Sequence, residues 1–93
     1  MTIAELQTRV QESTASMQSP CSSGAEWMLA ATEELGEVAQ EVALLERVGS
    51  KATWQTEPSV ERLGTEISHA LNCLIALANH YQIDLEKVYS PES

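Results

Sequence analysis

Apolar residues recur along this chain at helical spacing, not in the alternating pattern of a half-buried strand. Ile3, Leu6 and Val10 mark a first stretch, and Thr2 with Glu5 three residues later forms a capping box, so a helix is predicted over about 3–17. Gln18 to Gly24 has the composition of a linker, and Ser23 with Glu26 forms a second capping box that opens a long helix running to about Val48. Arg47 suits the dipole of the last turn, and Gly49 is the expected left-handed cap. Gly49 to Glu57 reads as a loop. Pro58 fits the first turn of a third helix that continues through Leu63, Ile67, Leu71, Leu74 and Ala78 to about His80. Asp84 caps a brief fourth helix, and Ser90-Pro91 closes it. No apolar run approaches the roughly 20 residues needed to span a bilayer. At 1.5 Å per residue, helices two and three each extend roughly 35 Å and suit an antiparallel hairpin. The predicted fold is therefore all-α: one domain over 1–93, a helical hairpin with flanking short helices that completes a four-helix bundle by homo-oligomerisation.

Composition sharpens that picture. A chain of 93 residues builds only a modest core. Hydrophobic residues make up 43% of it, with no Phe and only two Trp, which favours closely packed helices. Helix three is apolar over most of its circumference, so a homodimer or a dimer of dimers is expected. Fourteen acidic residues against five basic ones give a net charge of −9, which argues against nucleic-acid polymers and anionic membranes as partners. Any phosphate-bearing ligand would need a cation as intermediary. Cys21 and Cys73 stand apart in a chain that begins without a basic-then-apolar leader, so a cytoplasmic protein with both thiols reduced is expected.

The acids on the long helices fall in an unusual place. On a helical wheel Glu34, Glu37 and Glu41 lie between Ala30, Leu44 and Val48 on one side and Trp27, Val38 and Leu45 on the other, interrupting the apolar arc. Glu66 and His69 share a face of helix three with Arg62, Cys73 and His80. A Glu-Glu-x-x-Glu run by itself is commonly a solvated face. A second pair at three-residue spacing on a neighbouring apolar helix changes the weighing, because Mg²⁺ demands several hard oxygen ligands around it. Two helices giving two ligands each would meet that demand.

Three phrases carry a family resemblance: Glu33-Glu34-Leu-Gly-Glu37, then Glu66-Ile-Ser-His69, then Leu77-Ala-Asn-His-Tyr-Gln-Ile-Asp84-Leu-Glu-Lys-Val. Over about residues 24 to 89 the chain is similar to the MazG-like, all-α nucleoside triphosphate pyrophosphohydrolases, whose pattern is Glu-Glu-x-x-Glu followed by Glu-x-x-Asp. The resemblance implies that Glu34, Glu37 and Glu66 bind Mg²⁺ or Mn²⁺, that Glu33 assists, and that a nucleoside triphosphate is cleaved to the monophosphate and pyrophosphate. Glu33 or Glu41 would take the attacking water's proton. The family's second-helix Asp falls on His69, whose imidazole suits Mn²⁺ or Zn²⁺ better than Mg²⁺. The alternative is a catalytically degenerate nucleotide-binding or homo-association module, and His69 is the residue that supports it. Lys51 and Trp54, in the loop before helix three, are candidates to meet phosphate and to stack on a base, or else a solvated cation and a cover over the core end. Asn72 reads a base edge or caps an inter-helix contact. Trp27 belongs to the core or a dimer interface.

Overall fold

The structure, a computed structural model, describes residues 1–16 and 21–90. Met17 and the expected linker residues 18–20 lie outside the described residues, as does Pro91. Among those described the chain is all-helical: α1 (Ile3–Ser16), α2 (Gly24–Glu46), a short 3₁₀ turn (Ser50–Thr53), α3 (Val60–His80) and α4 (Leu85–Tyr89). No helix among them is long and apolar enough to cross a membrane.

The starts of the helices follow the capping chemistry. Thr2 and Glu5 exchange the reciprocal bonds of a capping box: the Glu5 N–H donates to Thr2 Oγ1 at 3.0 Å, and the Thr2 N–H donates to Glu5 Oε1 at 2.9 Å. At α2 the box is displaced. Ser23 Oγ accepts from the Glu26 N–H, but the Glu26 carboxylate reaches past Ser23 to the N–H and hydroxyl of Ser22. The cap of α3 is Ser59, whose hydroxyl accepts from the Arg62 N–H at 3.0 Å. Pro58 therefore precedes the helix and does not sit in its first turn. Asp84 caps α4 as expected.

The end of α2 differs from the expectation by two residues. The helix stops at Glu46, and Arg47 itself adopts the left-handed conformation at φ 52°, ψ 52°, with the Val48 N–H closing back on the Ala43 carbonyl at 3.1 Å. Gly49 then takes φ 68°, ψ −167°, a region that an L side chain rarely enters, so its freedom serves the exit into the 3₁₀ turn. At the end of α3, Gln82 is left-handed, and the Ile83 N–H bonds the Ala78 carbonyl at 2.9 Å in a Schellman closure.

Helices α2 and α3 form the antiparallel hairpin, and α1 packs on α3, held by polar side chains as well as apolar ones. Gln7 Nε2 donates to Asn79 Oδ1 and to the Ile83 carbonyl, both at 2.9 Å, while its Oε1 accepts from the Leu85 N–H. Asn79 Nδ2 in turn donates to the Gln7 carbonyl. Beside this latch Val10, Ile75 and Ala76 form the core, with Leu6, Trp27 and Leu85 against it. The core is thin. Among the described residues seven apolar ones are buried, four of them alanines, and no large side chain is fully buried. The Cα radius of gyration, 15.6 Å, exceeds the roughly 12 Å expected of a compact chain of this length.

Candidate metal centre

The antiparallel register of the hairpin brings the acids of α2 opposite those of α3. Glu34, Glu66 and His69 each place one donor atom within 4.8 Å of the others. His69 Nδ1 lies 3.8 Å from Glu34 Oε2 and 3.8 Å from Glu66 Oε2, too far for hydrogen bonds to fill the space between them. The side chains of Glu66, Glu34 and His69 are 19%, 33% and 51% exposed, so the group opens outward from a half-buried floor. Two carboxylate oxygens and an imidazole nitrogen are a donor set that a divalent first-row metal accepts, with Mn²⁺ or Zn²⁺ a better match than Mg²⁺.

The other expected site residues divide. Glu37 is exposed one turn further along α2 and lies outside the convergent group. Glu33 is exposed. Glu41, one candidate proton acceptor, instead receives Arg62 Nε at 2.7 Å, and the same guanidinium donates to the Glu57 carbonyl, so this carboxylate clamps the hairpin near its loop end. Lys51 and Trp54 engage each other, with Nζ 3.7 Å from the indole centroid, and neither lines the cavity described next. His80 meets Tyr81 edge-to-face and lies outside the convergent group.

A cavity of about 690 Å³ adjoins the Glu34–Glu66–His69 group. Glu34, His69, Asn72 and Cys73 form its hairpin side, Trp27 its apolar side, and Leu6, Arg9 and Val10 its α1 wall. Asn72 is thus the one expected substrate-binding residue that the fold brings to the site. Arg9 had no signal in the sequence, because the linker hides where α1 docks. Burial pushes the Cys73 thiol up, with the Glu34 charge and then Cys21 adding to the effect.

Compared with known proteins, the chain matches no family model, no curated protein and no solved structure. Its functional reading therefore rests on the geometry of this site and on the resemblance of its three phrases.

Proposed function

We propose that the protein is a divalent-metal-dependent nucleoside triphosphate pyrophosphohydrolase. The observation that carries this reading is the convergence of Glu34, Glu66 and His69 beside a cavity of ligand size. Glu34, Glu66 and His69 would hold the ion, and Glu37, exposed one turn along, supplies a further oxygen by side-chain rotation. A bound divalent cation would offset the acidic field of the site and withdraw charge from the phosphoryl oxygens. The chain's own groups do the rest. Glu33, free of the ion pair that occupies Glu41, takes the proton of the attacking water, while Trp27 and Asn72 receive the organic part of the substrate. We place the active form as a homodimer or a dimer of dimers, which would cover apolar surface that one copy leaves bare.

The second reading is a module of the same fold that binds a nucleotide or a second copy without cleavage. Two observations favour it: an imidazole where the resembling family has an acid, and a candidate base, Glu41, already bound to Arg62. Pyrophosphate release from a panel of nucleoside triphosphates, measured with Mn²⁺ and Mg²⁺, separates the two. The first reading expects Mn²⁺ to support turnover better than Mg²⁺, and His69→Asp to restore Mg²⁺ dependence by adding a hard oxygen. Turnover by neither form with either metal would leave the binding module. A melting temperature that no divalent ion raises would remove the metal site from both.

A further inference from the structure

Among the described residues Glu34, His69 and Cys73 line the cavity, and Glu66, the third member of the convergent group, does not. The two neighbours of His69 on α3 therefore differ in place and in chemistry. Glu66 lies three residues before it and offers a hard oxygen, whereas Cys73 lies four residues after it and offers sulfur. Residues four apart on a helix share a face, with Cβ atoms about 5–6 Å apart. Ligands at that spacing hold one ion in helical zinc sites, where paired histidines stand at i and i+4. His69 Nδ1 and Glu34 Oε2, 3.8 Å apart, can both reach one ion through bonds of about 2.0–2.2 Å. Cys73 Sγ stays outside the group that converges in the structure. No hydrogen bond among the described residues holds it, so no polar partner opposes rotation about its single side-chain torsion. Burial and then the Glu34 charge push its thiol up, which sets that carboxylate within electrostatic range of the sulfur.

We propose that Cys73 is a ligand for thiophilic divalent ions, so that Zn²⁺ or Co²⁺ is held by Glu34, His69 and Cys73 on the cavity side, whereas Mn²⁺ is held with Glu66 in place of the thiol. Softness decides between the two sets, because thiolate selects zinc and carboxylate oxygen suits manganese. On binding, the Cys73 proton passes to solvent and the thiolate sulfur donates an electron pair to the ion, with no change of oxidation state. Three protein ligands leave the fourth position of a tetrahedral ion to water. An ion in this place occupies space that the pyrophosphohydrolase reading gives to substrate, so Zn²⁺ would inhibit turnover. That consequence rests on the reading above, whereas the site itself does not.

The test uses the full reduced chain with Co²⁺ as the probe and no nucleotide present. Titration with Co²⁺ should bring up a thiolate-to-cobalt charge-transfer band in the near ultraviolet, and Zn²⁺ should abolish it by displacement. Cys73→Ser should lose the band, and its Zn²⁺ affinity, read by competition with a chelating dye, should fall by about 10-fold or more with Mn²⁺ affinity unchanged. Glu66→Gln should do the reverse, and Cys21→Ser should keep the band. In the wild-type chain Zn²⁺ should shield Cys73 from alkylation by iodoacetamide and Mn²⁺ should not, a readout that needs no variant to fold. Absence of Co²⁺ binding, Co²⁺ bound without the band, or a band that survives Cys73→Ser would overturn the proposal. So would a band lost with Cys21→Ser, or alkylation of Cys73 indifferent to Zn²⁺. A chain that shows the band yet releases pyrophosphate from no nucleotide would lose the hydrolase reading and keep this one.

Discussion

The two faces of the α2–α3 hairpin have opposite characters. One face carries Glu34, Glu66 and His69 and is partly roofed by α1, through the Gln7–Asn79 latch and the Val10–Ile75–Ala76 cluster. The other is apolar and has no cover among the described residues. At roughly 100° per residue, Met28 and Leu35 of α2 fall on the same side of the hairpin as Val60, Ile67, Leu71 and Leu74 of α3. These six are 40–71% exposed, with Leu74 and Val60 at the two limits. Gly64 lies among them with open space where a Cβ would project, so another helix can approach closely there. A long helix in a small protein thus has two separate uses for its sides. Polar groups are concentrated where a short helix and a cavity limit access to water, and apolar groups where the described residues leave them open to water.

The largest effect should come from charging the bare face. If a second copy covers it, Leu71→Glu inserts an unpaired charge into the contact at a cost of about 3 kcal/mol, on the order of a 100-fold weaker association. Sedimentation should show the assembly of the wild-type chain replaced by a 10.2 kDa species. Leu29→Glu is the control. Leu29 is 61% exposed, more than Leu71, but projects from another side of α2, and its replacement should leave the mass unchanged. Equal effects of the two changes, or a wild-type chain already monomeric at micromolar concentration, would show that the bare face is not an interface.

How much of this was legible in the sequence follows from the range of each interaction. Caps act over three residues, so Thr2, Ser23 and Asp84 could be read directly, although the reach of Glu26 to Ser22 could not. The meeting of Glu34 with Glu66 and His69 was also accessible, because two acids at three-residue spacing on antiparallel helices share a seam. Glu37, expected as a further ligand, stays outside the group, and Glu41 reads as a candidate proton acceptor beside it. Its pairing with Arg62 depends on the register of the hairpin, and that is fixed by a loop whose length and left-handed Arg47 leave no periodic trace. The α1 wall was least legible of all. It is held by Gln7 and Asn79, two polar residues with no pattern linking them across 72 positions.

That latch supplies the intermediate effect and tests the covered face. Asn79→Ala removes an acceptor for Gln7 Nε2 and a donor to the Gln7 carbonyl, both partly buried, at a cost of about 1–2 kcal/mol. Urea unfolding should register the loss, and amide exchange should quicken in α1 more than in the hairpin. Because α1 forms one wall of the cavity, acrylamide should also reach Trp27 more easily. Uniform acceleration of exchange throughout α2 and α3 would mean that α1 is integral to the hairpin and not a cover docked upon it.

The smallest effect lies where the chain enters α2, on the covered side. Glu26 Oε1 accepts from the Ser22 N–H at 3.1 Å and the Ser22 hydroxyl at 3.0 Å, and these bonds hold its carboxyl below the ordinary carboxylate range. A carboxylate whose folded pKa is depressed contributes stability that is fully present above the unfolded pKa and is lost as pH falls through the folded value. Glu26→Gln keeps an oxygen acceptor but discards the charge and its pH dependence. The wild-type chain should therefore melt slightly higher than the variant at neutral pH. The difference should disappear as acid protonates Glu26, with the melting temperatures converging below the ordinary carboxylate pKa. Glu5 is held down in the same direction by Thr2, so Glu5→Gln should repeat the pattern at α1. The same substitution at Glu61, also in the first turn of its helix but with a carboxylate that accepts no capping hydrogen bond among the described residues, should show no such convergence. If all three variants converged alike, the cause would be the summed charge of the acidic surface and not the bonds that Ser22 and Thr2 donate.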